Sequence, residues 1–464
     1  MSALGWLERM LNSVADHGME LIGLKERGNH DPSDSELCHR LVDGMGEASN
    51  IALAREILQR WQEMDSEQRL TFLQMIAVEF DPDPVEIQQA AQAYQSRDPD
   101  SLKRLLDISE PPRQELFRRL NMAPGATAIL VTMRAELLQI LRQQPELKGV
   151  DYDMRHLLSS WFNRGFLHLE RIDWNTSASI LEKLICYEVV HPMQGWEDLR
   201  RRLAEDRRCF AFFHPALPQD PLIFVEVALT REISDSVTSL VDPEEPLTET
   251  GSVNTAVFYS INNALKGLRG ISFGNFLIKQ VVSELKEEFP GLERFVTLSP
   301  IPRLRNSLLK LQTSNISNIS LEDLELVLGS RKQQLLDLTG SDTPFEALDK
   351  LTTEQIQEAE NRWLAETLND LVLFYLVFLK KGDHAYEPVA HFHLSNGARL
   401  DRINILANPS EQGIRESWGC MVNYRYEESD LVANHETYLC SGHIALSSEL
   451  EQRLKHLKTV LQRD

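Results

Sequence analysis

Residues 254–302 read NTAVFYSINNALKGLRGISFGNFLIKQVVSELKEEFPGLERFVTLSPIP, and the order of patterns within them decides the fold. The run AVFYS at 256–260 is short, apolar and aromatic, as a buried strand is. A turn-like segment follows, KGLRGISFGN at 266–275. Residues 276–288 then place Phe276, Leu277, Val281 and Leu285 on one stripe of an amphipathic helix. A second strand is expected at 295–298, stopped by Ser299-Pro300-Ile301-Pro302. A strand, a glycine-bearing loop, a helix and a second strand make one crossover unit. Its loop brings backbone N–H groups and the positive end of a helix to one point, an arrangement that holds diphosphate without a metal. Gly267, Gly270 and Gly274 permit close backbone approach. The same glycines also suit a turn that merely packs tightly.

Working outward, the pattern before this stretch is of two kinds. Residues 1 to about 150 read as helices throughout. Leu7, Met10, Leu11 and Val14 form one stripe, and Ile51, Ala54, Ile57, Leu58 and Trp61 a second. Phe72, Leu73, Ile76 and Phe80 form a third, behind an Asp65-x-x-Gln68 capping pattern. Residues 157–166 and 177–187 continue as helix, and Trp161, Phe162 and Trp174 are expected to pack at this joint. From Cys209 the apolar period becomes two: strands are expected at 209–214 and 222–229. Beyond the opening stretch, residues 303 to about 381 return to helix. Strands are expected again at 389–394, 403–407 and 421–426, with a last amphipathic helix at 447–461. Mixed elements with one crossover imply an α/β or α+β layer.

Composition sets limits. A chain of 464 residues is too long for one ordinary core. A net charge of −22 argues against nucleic acid or an acidic membrane as partner. The most apolar run, LVLFYLVFL at 371–379, is half the length of a membrane span. The N-terminus lacks a signal-peptide pattern and the C-terminus lacks a peroxisomal one, so a cytoplasmic location is expected. Cys38, Cys186, Cys209, Cys420 and Cys440 are scattered and odd in number, and read as reduced thiols. HExxH, CxxC, Walker and dinucleotide signatures are all absent, and no metal or cofactor is expected.

Two positions stand out for chemistry. His391-Phe392-His393-Leu394 lies in an expected strand, whose alternation puts both histidines on one face. A histidine donates protons well at neutral pH; the pair reads equally as two metal ligands or as surface residues. Ser299 ends a strand beside Thr297, where its hydroxyl can hold a carboxylate or satisfy backbone groups before proline. The absence of a GxSxG elbow disfavours a covalent serine mechanism.

The opening stretch, CFAFFHPALPQDPLIFVEVALTREISDSV at 209–237 and HFHLSNGARLDRINILANPSEQGIRESWGCMVNYRY at 391–426 together resemble malonyl-CoA decarboxylases, in long ungapped blocks over about residues 150–440. The resemblance implies an α+β chain: an N-terminal all-helical domain over 1–165, used in oligomerisation, then an acetyltransferase-like mixed α/β domain over 166–464. A helical insertion at about 303–385 interrupts the second. It implies a carboxy-lyase that converts malonyl-CoA to acetyl-CoA and CO2 without a cofactor, as a dimer or tetramer. His393 aligns with the family's catalytic histidine and Ser299 with its catalytic serine; Thr297 is the fallback for the latter. Arg269, Gly270, Ile271, Ser272, Phe273, Gly274 and Asn275 align with the loop that grips coenzyme A. His214, Asn254, Tyr259, Asn404, Asn423 and Tyr424 lie in matched stretches without an assigned role. The rivals are a CoA-dependent acyltransferase on the same scaffold and a non-catalytic acyl-CoA-binding protein.

Overall fold

The computed structural model describes residues 32–44, 46–271, 277–313 and 319–462. The stripe expected at Leu7–Val14 and loop residues 272–275 lie outside them. The chain divides into two compact units. The first holds residues up to 168 with the segments 213–222 and 265–273; the second holds the rest.

The first unit is helical because its sequence repeats apolar residues every three to four positions. Helices Glu47–Glu63, Ser66–Glu79, Pro112–Leu120, Ala126–Ile140 and Lys148–Trp161 close on one core that includes Trp61, Phe72, Phe117, Leu130 and Met154. Asp65 caps its helix as expected: its carboxylate accepts from the N–H groups of Glu67 and Gln68, and Gln68 reaches back to the Asp65 N–H. At the joint the helix stops at Trp161, earlier than its pattern implied. Phe162 is buried, but Trp174 is half exposed under the Arg200 guanidinium.

The loop strand-side turn Lys266–Leu268 belongs to this first unit and lies on helix Ala126–Ile140. A Cβ at Gly267 would sit 1.8 Å from the Val131 carbonyl oxygen, so only glycine fits. The close approach made possible here is to a helix of the protein itself. Arg134 secures it. Its guanidinium donates to the carbonyls of Gly267 (2.6 Å) and Arg269 (3.0 Å) and pairs with Asp151 (2.8 Å).

The second unit is built on one sheet. Its strands are β1 (His168–Ile172), β2 (Arg207–Phe213), β3 (Ile223–Thr230), β4 (Thr255–Asn263), β5 (Arg294–Thr297), β6 (Ser299–Pro300), β9 (Arg399–Asn404) and β10 (Met421–Tyr426); β7 (Lys380–Lys381) and β8 (His384–Ala385) form a separate hairpin. The order is β1-β2-β3-β4-β5-β10, with β6 and β9 also paired to β10. β4 and β5 run parallel, joined by helix Leu277–Glu288 as the opening stretch implied; β2–β3, β3–β4, β5–β10 and β9–β10 are antiparallel. Between β6 and β7 come the helices expected as an insertion, from Leu304–Lys310 to the long, buried Arg362–Phe378.

One expected element is wrong in kind. Residues 389–394 are not a strand but part of helix Pro388–Ser395. Proline stands at the first helical position, where its missing N–H costs nothing. The buried residues are Ala390, His393 and Leu394, a helical spacing that the short His-Phe-His alternation concealed. The expected strand at 403–407 lies earlier, at Arg399–Asn404.

Candidate active site

The site begins at a break in the sheet. β5 pairs with β4 up to Thr297; the chain then steps aside at Leu298, and β6 resumes against β10 with Ser299 opposite Val422. Such a step strands backbone groups that a continuous ladder satisfies. Here side chains take them up. The Asn423 amide donates to the Thr297 carbonyl at 2.8 Å, and Asn404 donates to the Asn423 side-chain oxygen at 2.7 Å. The Thr297 hydroxyl accepts the Tyr424 backbone N–H at 3.2 Å. Asn404 and Asn423, which had no role in the sequence, are thus braces of the break. Thr297, expected as a stand-in for Ser299, is fully buried and occupied by the scaffold.

Helix Pro388–Ser395 packs over this break and brings His393 to it. On a helix, residues 391 and 393 cannot share a face, which corrects the expected alternation. His391 turns instead to Tyr438, whose hydroxyl lies 2.9 Å from its Nδ1. His393 is 3 % exposed, with its ring stacked on Tyr424 at 4.6 Å between centroids. Its Nε2 lies 3.0 Å from the Ser299 hydroxyl, and its Nδ1 lies 2.8 Å from the Tyr426 hydroxyl. Ser299 in turn donates to Thr297 at 2.8 Å. Since the Ser299 proton points at Thr297, Nε2 carries the imidazole proton and donates to Ser299. Nδ1 is then the acceptor of the Tyr426 O–H.

Every member of this run is neutral. Burial pushes the His393 imidazole down to about 3, and pushes the Tyr424 and Tyr426 phenols well above their ordinary value. The ring is therefore an uncharged donor at neutral pH. Among the described residues no group of three His, Cys, Asp or Glu is placed to hold a metal ion, and His391 and His393 face different partners. Of the aligned loop, Arg269, Gly270 and Ile271 are described: Arg269 is held by Arg134, and Gly270 adopts φ +81°, a left-handed conformation suited to glycine. Tyr426 and Arg134 escaped the sequence reading. Tyr426 ends a strand like any aromatic; Arg134, a lone arginine in an apolar helical run, was the more visible of the two.

Comparison with known proteins now bears on the same residues. The family profile described as "Malonyl-CoA decarboxylase C-terminal domain" matches residues 165–463, and its N-terminal counterpart matches 80–162. The chain belongs to the malonyl-CoA decarboxylase family. The crystal structure of malonyl-CoA decarboxylase from Rhodopseudomonas palustris is 43% identical, with a TM-score of 0.82 over 91% of this chain and 100% of that one. That from Agrobacterium vitis is 42% identical, with a TM-score of 0.78 over 90% and 99%. Among curated relatives, "Malonyl-CoA decarboxylase, mitochondrial" of Anser anser anser is 38% identical over 73% of this chain and 69% of its own. The malonyl-CoA decarboxylase profile for the C-terminal domain spans every residue of the Ser299–His393–Tyr426 run. Among the described residues no helix is long and apolar enough to cross a membrane.

Proposed function

We propose that this chain decarboxylates malonyl-CoA to acetyl-CoA and CO2, with His393 as proton donor and Ser299 as the hydroxyl that holds the malonyl group. The observation that carries this reading is the buried contact between Ser299 Oγ and His393 Nε2. As the bond to the departing carboxylate breaks, its electron pair passes to the thioester, whose oxygen takes the charge as an enolate. Ser299 turns its hydroxyl proton from Thr297 to the malonyl group and stabilises it by hydrogen bonding. The enolate carbon then takes a proton from Nε2. The thioester is its own electron sink, so the reaction as written uses only protein groups. A low-dielectric surround favours this path, because it disfavours the charged carboxylate more than the dispersed enolate.

Residues 269–275 are proposed to hold the coenzyme A diphosphate, and Arg134 to fix the carbonyls of that loop. Oligomerisation through the helical first unit belongs to the same reading.

The test is to incubate the protein with malonyl-CoA alone, EDTA present, and follow acetyl-CoA. We expect turnover without an acceptor and its loss in His393→Ala. Turnover that requires an amine acceptor would favour an acyltransferase; binding with no turnover would favour an acyl-CoA-binding protein. For the loop, Arg134→Ala is expected to raise KM for malonyl-CoA while kcat holds; an unchanged KM would detach Arg134 from coenzyme A binding.

A further inference from the structure

Ser299 and His393 meet although they stand 94 positions apart in the chain. Each is carried by a short element. β6 has two residues, and the helix of His393 has eight. β6 is anchored to β10 only through Ser299 and Pro300, and a proline brings no N–H to a ladder. A small slide of the helix along the sheet would therefore open the 3.0 Å contact between hydroxyl and imidazole. A second hydrogen bond joins the same two segments, and it is made by Glu387.

Glu387 stands directly before Pro388, at the N-cap of the helix that carries His393, and is 1 % exposed. Its Oε2 accepts two hydrogen bonds. One comes from the backbone N–H of Arg303 at 3.1 Å, the other from the hydroxyl of Tyr375 at 2.8 Å. Arg303 follows Ser299 by four residues, and the connector between them is Pro300-Ile301-Pro302. Two prolines fix φ within it and also restrict the residue before each, Ser299 and Ile301. A restraint at Arg303 is thus passed on to Ser299 by a stiff connector. Tyr375 lies in the buried helix Arg362–Phe378. One oxygen therefore ties together the connector from the serine, the helix of the histidine and a core helix. The other oxygen, Oε1, is buried without a hydrogen-bond partner. Burial pushes the Glu387 carboxyl above its ordinary range. Ionisation would put charge on an oxygen that no donor serves. Both observations fit an acid that works as a hydrogen-bond acceptor and not as a charge.

We propose that Glu387 is the positioning residue of the Ser299–His393 pair, a clasp that sets the spacing of hydroxyl and imidazole through Arg303 and Tyr375. This rests on the decarboxylase reading above. In that reading Nε2 must face the enolate carbon while Ser299 holds the malonyl group, so the rate depends on where the two side chains stand relative to one another. Glu387 acts through both of them and is not a catalytic residue. Because the clasp needs an accepting oxygen and no charge, a side-chain amide can take its place.

Three substitutions test this, each read as kcat and KM for malonyl-CoA per folded molecule, with the melting temperature alongside. Glu387→Met keeps the length and deletes the acceptor; kcat is expected to fall about 100-fold with KM unchanged. Glu387→Gln keeps an oxygen where Oε2 stands, and kcat is expected within about twofold of the parent. Tyr375→Phe removes one of the two bonds and keeps the ring, so a several-fold lower kcat at constant KM is expected; it decides the matter where Glu387→Met fails to fold. A purely structural role lowers the melting temperature and leaves kcat of the folded enzyme intact, and that result in Glu387→Met or Tyr375→Phe overturns the clasp. A Gln variant as slow as the Met variant overturns it too, since the acid would then act by its charge or its proton. If the unsubstituted protein forms no acetyl-CoA from malonyl-CoA, the reaction was misread and the clasp falls with it. If it turns over and Glu387→Met keeps full kcat, only the clasp falls.

Discussion

The sheet of the second unit carries two buried polar groupings of opposite design. Over the β5–β10 break, Thr297, Ser299, His393 and Tyr426 form a run of neutral groups, linked by bonds of 2.8 to 3.0 Å. At β3 and β4, by contrast, Glu226 and Tyr259, with Arg202 from helix Trp196–Arg202, bring charge into the interior and bond it poorly. Arg202 Nη1 lies 3.4 Å from Glu226 Oε2, and neither Glu226 oxygen nor the Tyr259 hydroxyl has a well-aligned hydrogen bond. Only Glu188, next to them, is fully served: it accepts from Ser260, Asn262 and the N–H groups of Val190 and His191. Burial raises the Glu226 carboxyl to about 8 and lowers His191 to about 3. Desolvation acts on both groupings alike. In the first it keeps an imidazole neutral inside a continuous run of hydrogen bonds. In the second it neutralises an acid that has no such run beside it. A buried group with a displaced pKa is thus a candidate for chemistry only where hydrogen bonds lead from it to a reacting atom.

The comparison breaks first at His393. His393→Ala removes the donor from the run, and we expect kcat for malonyl-CoA decarboxylation to fall by roughly 1,000-fold, within the range of lost general acids. Ser299→Ala removes one hydrogen bond to the malonyl group and leaves the ring, so a smaller loss of about 100-fold is expected. Steady-state kinetics at saturating malonyl-CoA checks both; near-full activity in either variant separates the neutral run from the reaction.

Stability sharpens the contrast further. The folded-state pKa of His393 lies below the ordinary histidine value, so the unfolded chain binds more protons between about 6.5 and about 3. Stability is expected to fall as pH drops through that window, and His393→Gln should flatten its share of the loss in urea titrations at pH 4.5 and 7. Glu226 behaves in the reverse sense. Its folded-state pKa is raised from 4.5 to about 8, so the folded chain holds the extra proton and stability declines as pH rises across that interval. Glu226→Gln is already matched to the neutral acid. It should change stability by under about 1 kcal/mol at pH 7 and gain on the parent at pH 9. A large loss at pH 7 would mean that the carboxylate is ionised against Arg202 at that pH.

The crossover unit was legible because its signals are local: apolar runs of strand length, a glycine turn and one helical stripe between 254 and 298. Where reading failed, the signal was not local. Residues 388–395 are helical through Pro388 and through packing on the sheet, while the His-Phe-His triplet alone mimics a strand. Ser299 and His393 were singled out, but resemblance was needed to prefer them. What joins them is a one-residue step at Leu298 and a helix ninety positions on, and no spacing rule encodes that. The same holds for Tyr426, whose role depends on which ring nitrogen it meets. Gly267 shows a subtler gap: the glycine was noticed for a ligand, yet its lack of a side chain is required by Val131.

The most direct test is the pH dependence of kcat for malonyl-CoA decarboxylation from pH 5.5 to 8.5. With a neutral His393 that stays neutral down to about 3, kcat should run flat through the ordinary histidine range. An inflection near 6.5, abolished in His393→Ala, would show an imidazolium at work and contradict the neutral run.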